Sequence, residues 1–330
     1  MNQIDKIRIG ITGTGSLIGQ AIIKSIKASV FSKDAYIIGM DYFENTVGSY
    51  WCDKNYILPD LLKVDLLDAW KQKIKEIISE NKIQLLFIGV DFELMHFALL
   101  KEQLEKETHC RIIVSNQEVI RIADDKYLTS VFLKENGLSY PETYTAENLD
   151  KNKIVYPCIV KPRIGFRSRG VHKVYTEEDL IYRIETTQNP IVQELVGDDE
   201  KEYTCGVIYL DEFIDSIALR RVLKEGNTSV AYYEKDVPPV VYDYIKHIAE
   251  ALKPYGACNF QLRIDQEGIP KLFEINARHS GTTHMRTLFG FNEIETIIGY
   301  ILDIKVPKPK LKEGKVLRYY DEMFFPNTQE

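Results

Sequence analysis

Two stretches of period-two alternation, CNFQLRID (258–265) and KLFEINA (271–277), flank the short connector QEGIP. Phe260, Leu262 and Ile264 alternate with Gln261, Arg263 and Asp265, and Phe273, Ile275 and Ala277 alternate with Glu274, Asn276 and Arg278. Side chains along a strand point to opposite faces in turn, so each stretch reads as a strand with one apolar and one polar face. A short glycine-bearing connector joins them as an antiparallel hairpin. With the turn centred on Glu267-Gly268, Gln261 stands directly opposite Glu274, and Asn276 follows two residues along the same face. Opposed Cβ atoms there lie roughly 5 Å apart. Three side-chain oxygen donors therefore converge. Such donors, with no His or Cys among them, suit a hard cation such as Mg2+ rather than zinc. One carboxylate and two neutral amides supply little charge, so the rest must come from a ligand such as a phosphate. The competing reading is the solvated outer face of an ordinary antiparallel sheet, and the remainder of the chain has to decide between the two.

The 330 residues, 45% of them hydrophobic, are enough for two or more packed domains. A formal charge of −7 argues against a nucleic-acid or anionic-membrane partner, both of which need a net basic face. The cysteines Cys52, Cys110, Cys158, Cys205 and Cys258 are scattered and never spaced C-x-x-C, which is read as reduced thiols in a cytoplasmic protein. MNQIDKIRIG runs from polar residues straight into a strand pattern, with no secretion signal in view. The most apolar stretch, QLLFIGVDFELMHFALL, is interrupted by Asp91, Glu93 and His96 and falls short of a membrane span.

Residues 1–116 alternate short apolar runs with amphipathic ones: KIRIGITG and a helix from about Leu17, AYIIGMD and a loop, QLLFIGVD and a helix, then RIIVSN. That rhythm implies an open parallel sheet with crossover helices. From Gln117 one helical pattern runs through DDKYLTSVFLKENG to a C-cap at Gly137. Beyond it come strand pairs with a few helices. The fold class is thus α/β, an N-terminal open parallel-sheet domain (1–116) followed by an α+β domain (117–330).

Two further stretches bear on phosphate. IVKPRIGFRSRGV carries Gly165 and Gly170 with Arg163, Arg167 and Arg169, a loop whose backbone N–H groups and basic side chains suit phosphate, although it is not a Walker A loop. In PIVQELVGDDEKEYTCGV an apolar strand meets an acidic connector, and Glu202 opens the next strand. Each alone also fits a solvated loop.

Taken in order, DDKYLTSVFLKENGLSYPETY, YPCIVKPRIGFRSRGV, VQELVGDDEKEYT, NFQLRID and LFEINARHSGTT resemble the ATP-grasp superfamily, nearest to carbamoyl-phosphate-synthetase-like carboxylate–amine ligases. The resemblance spans about 117–290, and the preceding unit resembles the pre-ATP-grasp domain. It implies an ATP-grasp fold of two subdomains, the smaller a lid at about 120–192. Lys126 and Lys161 match the residues that contact ATP phosphates. Gln193, Glu194 and Val196 fall at the adenine-holding connector, and Glu202 at the ribose partner. Gln261, Glu274 and Asn276 match the Mg2+ (or Mn2+) ligands. Arg278 matches the arginine of the family's N-P-R ending, here Asn-Ala-Arg with Ala277 for proline, and with Arg263 takes the catalytic, charge-neutralising role. The implied reaction is phosphoryl transfer from Mg-ATP to a carboxylate, giving an acyl phosphate that an amine or ammonia attacks. Small-molecule acid and amine partners follow, and a homodimer is the assembly that base rates favour. His279 is read as an ordinary packed histidine. Arg220 and Arg221 lie on opposite faces of a strand, so at most one serves the site.

Two other functions compete. In KIRIGITGTGSLIG, Gly13, Gly15 and Gly19 with Asp41 form a loose dinucleotide fingerprint that an NAD-dependent oxidoreductase would use, but its spacing is G-x-G-x-x-x-G. A catalytically silent nucleotide-binding module is the other. The acid and amine are not legible; Ser16, Phe92 and Thr282 to Arg286 are companion residues for their pocket.

Overall fold

The computed structural model describes residues 6–165, 169–198 and 201–324. Its first layer is a five-stranded parallel sheet built from β1 (Ile7–Thr12), β2 (Ala35–Asp41), β3 (Lys54–Ile57), β4 (Leu85–Phe87) and β5 (Arg111–Ile113), in the order β3-β2-β1-β4-β5. Helices α1 (Leu17–Lys27), α2 (Val47–Tyr50), α3 (Leu67–Asn81) and α4 (Leu94–Thr108) alternate with the strands. The loop expected after AYIIGMD is a correction: that stretch holds α2, β3 and α3. β3 is an edge strand with mostly exposed side chains and no apolar run to announce it. In α3, Trp70, Ile74, Ile77 and Ile78 make the apolar stripe of an amphipathic helix.

The strand order reverses between β1 and β4, which opens a crevice at the carboxyl ends of those two strands. Ser16 caps α1 by accepting from the Gly19 N–H at 2.9 Å and ties the β1 loop to the β4 loop by donating to the Gly89 carbonyl at 2.7 Å. Beneath the crevice Glu93 is fully buried, bonded by the hydroxyls of Thr12 and Tyr42, and burial pushes its carboxyl up to about 7.

The single helix expected from Gln117 is two, α5 (Gln117–Asp124) and α6 (Lys126–Glu135). Asp125 is extended between them, and its side chain accepts from the N–H groups of Tyr127 and Leu128, a local cap that competes with helix continuation. The break makes Lys126 the first residue of α6. Gly137, at φ +68°, follows the helix end as expected.

Two antiparallel sheets follow. The smaller holds β6 (Thr143–Thr145), β7 (Cys158–Pro162), β8 (His172–Val174) and β9 (Pro190–Glu194) in the order β6-β9-β7-β8, with α7 (Glu177–Thr186) on it. The larger holds β10 (Glu202–Leu210), β11 (Phe213–Lys224), β12 (Asn227–Tyr233), β13 (Gly256–Ile264), β14 (Pro270–Asn276) and β15 (Gly314–Leu317), ordered β14-β13-β10-β11-β12-β15. Helices α8 (Pro239–Leu252), α9 (Thr283–Leu288) and α10 (Glu293–Ile301) flank it. Under α8, Ile245 and Ile248 pack with Phe260, Leu262 and Cys205.

The opposite face of this sheet changes character along its strands. On β10 it runs Glu202, Thr204, Gly206, Ile208 and Leu210; the last two join Ile9, Ile11 and Phe87 of the parallel sheet in one core. The small sheet has a separate core of Cys158, Val160, Val174, Leu180 and Val192. Helices α5 and α6 give Val119, Ile120, Ala123 and Leu133 to the main body instead, so the separately cored layer is narrower than the expected span from about 120.

At Gly206 the sheet makes room for a buried ion pair, Arg286 Nη1 to Glu293 Oε1 at 2.6 Å. Burial raises the Glu293 carboxyl, but Arg286 beside it, with His279 and Thr283, outweighs that and holds it at about 2. A Cβ on Gly206 would lie 2.3 Å from Glu293 Oε1 and 2.6 Å from Arg286 Nε. Gly206→Ala is therefore expected to destabilise the protein by about 1–3 kcal/mol in urea unfolding, as overpacking against a fixed pair does. An unchanged midpoint would mean that the pair yields freely.

Candidate active site

Between the small sheet and the polar end of the large one lies a cavity of about 480 Å³, within the range of small-molecule sites. Its apolar walls include Ile159, Val171, Val196, Leu223 and Phe273. Among the described residues six basic side chains line it (Lys126, Lys161, Arg169, Lys173, Arg221, Arg263) against four acidic ones (Glu194, Asp198, Glu202, Glu274). An acidic chain thus keeps a locally cationic pocket.

Lys161 comes from β7 and is buried, donating to Gln193 Oε1 at 2.7 Å; Gln193 Nε2 in turn donates to Thr143 Oγ1 at 2.9 Å. Burial, and then the charge of Lys126, push the Lys161 ammonium down to about 7. Lys126 reaches the glycine loop and donates to the Gly165 carbonyl at 3.0 Å. The connector after β9 passes close to the large sheet at Gly197, φ +52°, where a Cβ would lie 2.3 Å from the Ile264 carbonyl oxygen.

Across the sheet the polar side chains pair strand to strand. Glu202 of β10 accepts from Arg221 of β11 at 2.7 Å and from Arg263 of β13 at 2.8 Å. Burial raises its carboxyl, but the two guanidiniums more than offset that and hold it low. Lys271 of β14 binds Glu194 at 2.7 Å.

In the hairpin, Gln261 pairs with Glu274 and Asn259 with Asn276. Near the turn the register differs by one, Leu262 with Leu272 and Ile264 with Pro270, so the turn centres on Glu267 and one extra residue, Phe273, is taken up in β14. The bulge corrects the expected face of Phe273. Its ring lines the cavity, and Lys161 Nζ stands 5.6 Å from its centroid.

Glu274 Oε1 accepts from Gln261 Nε2 at 3.3 Å and Asn276 Nδ2 at 3.0 Å, while the amide oxygens face guanidiniums, Gln261 Oε1 that of Arg221 and Asn276 Oδ1 that of Arg278 at 2.9 Å. Arg278 also binds Asp91 at 2.7 Å, which carries the row from the cavity into the crevice of the parallel sheet. Among the described residues no group of three His, Cys, Asp or Glu side chains is placed to hold a metal. The donor set is one carboxylate and two amides that present oxygen after a half-turn. It fits a hard cation that brings anionic oxygens of its own.

A family model described as ATP-grasp in the biosynthetic pathway with Ter operon matches residues 194–322. The structure is similar to that of a carboxyaminoimidazole ribonucleotide synthase from Aspergillus clavatus complexed with ATP, with a TM-score of 0.72 at 13% identity, covering 94% of this chain and 81% of that one. The chain carries an ATP-grasp domain. It is 25% identical over 308 residues to the C-terminal section of a carbamoyl phosphate synthase large chain from Methanocaldococcus jannaschii, covering 85% of this chain and 48% of that protein. It is likewise 25% identical over 248 residues to D-alanine–D-alanine ligase B of Clostridium perfringens, covering 64% of this chain and 78% of that enzyme. The chain thus spans about half the length of the first of these relatives.

Lys126, Lys161, Gln193, Glu194, Val196, Glu202, Gln261, Arg263 and Glu274 all line the same cavity, and Asn276 and Arg278 continue it towards the crevice. Arg167 lies outside the described residues. Of the two arginines on β11, Arg221 faces the cavity and Arg220 turns to Glu234, as the parity of a strand requires. Sequence reasoning missed Phe273, hidden by the bulge, and Asp91, set aside as an interruption of an apolar run. The N-terminal glycine loop does not offer a dinucleotide site: Asp41 is buried and binds the Gly15 N–H and the Thr14 hydroxyl, and a Cβ on Gly48 would meet the Thr14 carbonyl at 1.8 Å. The acid meant for ribose and the space over the loop are both taken up internally.

Lys161 makes stability depend on pH. Above the unfolded value of about 10.4 both states are neutral; as pH falls towards about 7, the unfolded chain binds a proton that the folded one does not. Stability then falls by up to about 1.4 kcal/mol per pH unit, and the loss is constant below about 7. Lys161→Met removes this dependence. In urea unfolding the variant is expected to gain on the wild type as pH falls from about 9 to about 7, whereas a pH-independent difference would place Lys161 in contact with water.

Proposed function

We propose that this chain is an ATP-dependent ligase that phosphorylates a carboxylate substrate and passes the acyl phosphate to an amine or ammonia. The observation that carries the reading is the convergence of Lys126, Lys161, Gln261, Glu274, Asn276 and Arg278 along one continuous polar row that leads out of the cavity to the crevice. The row contains no serine, threonine or cysteine, and phosphoryl transfer of this kind needs none, because it rests on positioning and charge.

In this reading Lys126 and Lys161 bind the nucleotide phosphates, and Lys161 takes up a proton as they approach. The connector at Gln193, Glu194 and Val196 holds adenine between apolar walls. Glu202, clamped by two guanidiniums, orients the ribose end and fixes Arg221 and Arg263. Gln261, Glu274 and Asn276 would hold Mg2+ or Mn2+, which when bound draws charge from the phosphates. Their amide half-turns free Arg221 and Arg278 to bind phosphate oxygens. Residues 1–116 form one wall of the acid and amine site, residues 117–330 the catalytic body, and the separately cored sheet from Thr143 to Glu194 acts as the lid, excluding water from an acyl phosphate that would otherwise hydrolyse. Among the described residues no helix is long and apolar enough to cross a membrane.

The test is Mg2+-dependent ADP release from ATP against panels of carboxylic acids and amines. One acid is expected to elicit ADP. Glu274→Ala is expected to reduce that release by at least about a hundredfold, the scale of losing an electrostatic stabiliser. Nucleotide binding without ADP from any pair would favour a silent module, and no nucleotide binding would end the ligase reading.

A further inference from the structure

The crevice beside Arg278 contains a second cation that the nucleotide site does not use. Arg318 follows β15, the outermost strand of the large sheet, and continues its pairing through the Arg318 N–H to the Ser229 carbonyl at 2.8 Å. Its side chain turns inward, where Nη2 donates to the Gly281 carbonyl. Arg278 Nη1 donates to the His279 carbonyl at 3.2 Å, so both guanidiniums hang from the same three residues of backbone. A Cβ on Gly281 would lie 3.7 Å from Arg318 Nη2 and 3.7 Å from Leu17 Cβ. Leu17 is the first residue of α1, so Arg318 stands at the mouth of the crevice where β1 ends and the cap residue Ser16 bonds the β4 loop.

The two arginines differ in charge balance. Arg278 is offset by Asp91. Among the described residues Arg318 has no carboxylate partner within ion-pair distance, although it is only half-exposed, and burial pushes its guanidinium down. A half-buried guanidinium held only by a neutral carbonyl retains its full charge and several free N–H donors, an expensive arrangement unless an anion completes it.

Resting on the ligase reading above, we infer that Arg318 binds a second anionic group of the acid substrate, distinct from the carboxylate that is phosphorylated beside Arg278. The substrate is thus a dianion, either a dicarboxylate or a phosphorylated acid. A guanidinium suits both through paired N–H donors, and Arg318 acts as a specificity-determining residue rather than a catalytic one.

The test is calorimetric titration of matched acids, succinate against butyrate and O-phosphoserine against serine, with and without Mg–AMP-PNP. The wild type is expected to bind the dianion of at least one pair tenfold or more tightly than its partner, the scale of a hydrogen bond to a charged group; which pair discriminates tells a carboxylate from a phosphate. Arg318→Ala should abolish that preference and leave AMP-PNP affinity unchanged. Arg318→Gln keeps a donor for the Gly281 carbonyl without the charge, and should lose the preference too. No preference in either wild-type pair overturns the inference, as does a uniform loss of acid and nucleotide affinity in both variants, which marks Arg318 as a strut. Failure of the ligase reading shows separately, as absent Mg2+-dependent AMP-PNP binding, and the nucleotide-free titrations still decide the anion preference.

Discussion

The pleat of β10, β11 and β13 sorts the large sheet into two faces, and one of those faces is itself graded from charged to apolar. On β10 the sequence Glu202, Thr204, Gly206, Ile208, Leu210 passes in five alternate positions from a double ion pair to the core shared with the parallel sheet. β13 repeats the gradient in Arg263, Gln261, Asn259 and Ala257, and β11 in Arg221, Leu219 and Ile217. Because side chains on one face keep to alternate positions, the register that aligns these gradients fixes the cavity and the interdomain core together. A slip of one residue would turn the arginines under α8 and bring the α8-facing Tyr203 and Leu262 into the cavity.

Halfway along the gradient sits the group that neither end can satisfy. Asn259 accepts from Thr204 and from Arg286, and Arg286 is bound in turn by Glu293 of α10. Ions this deeply buried stabilise little over an apolar substitute, but each strongly penalises loss of its partner. Their effect is specificity: α9 and α10 dock on the sheet in the one place where Gly206 leaves room. The chain between β14 and α9, residues 277–282, is thereby held against α1, which is why Arg278 reaches Asp91 and the backbone at Gly281 meets Leu17.

Much of the fold and of the candidate site was legible because parity is a local property. Alternation in CNFQLRID and KLFEINA sufficed to bring Gln261, Glu274 and Asn276 to one face, and the same rule separated Arg221 from Arg220. The register came out as expected, though through two offsetting features, a turn centred on Glu267 and a bulge at Phe273. Neither has a strong local signature, so Phe273 was assigned to the wrong face. The break at Asp125 was obscured because its neighbours keep a helical pattern on both sides, and only the capping bonds decide. β3 escaped because an exposed edge strand has no apolar alternation to read. The partners Asp91 to Arg278 and Arg318 to Gly281 join segments far apart in the chain, and no periodicity carries such information.

The charge balance of the cavity leaves it for an anion to complete. Glu202 is held by Arg221 and Arg263, and Glu194 by Lys271, so two of the four acids at the rim are committed to protein cations. Lys161 sits neutral for much of the range above pH 7, since burial and Lys126 disfavour its charge. In the proposed reading an incoming polyphosphate would supply the negative charge that lets Lys161 protonate and lets the amide oxygens leave their arginines. Groups that lack a full ionic partner without a ligand would gain one with it, so binding energy would be concentrated where charge must be stabilised. A small sheet with its own core can close over such a site without disturbing the main one, because the apolar area that anchors it is its own.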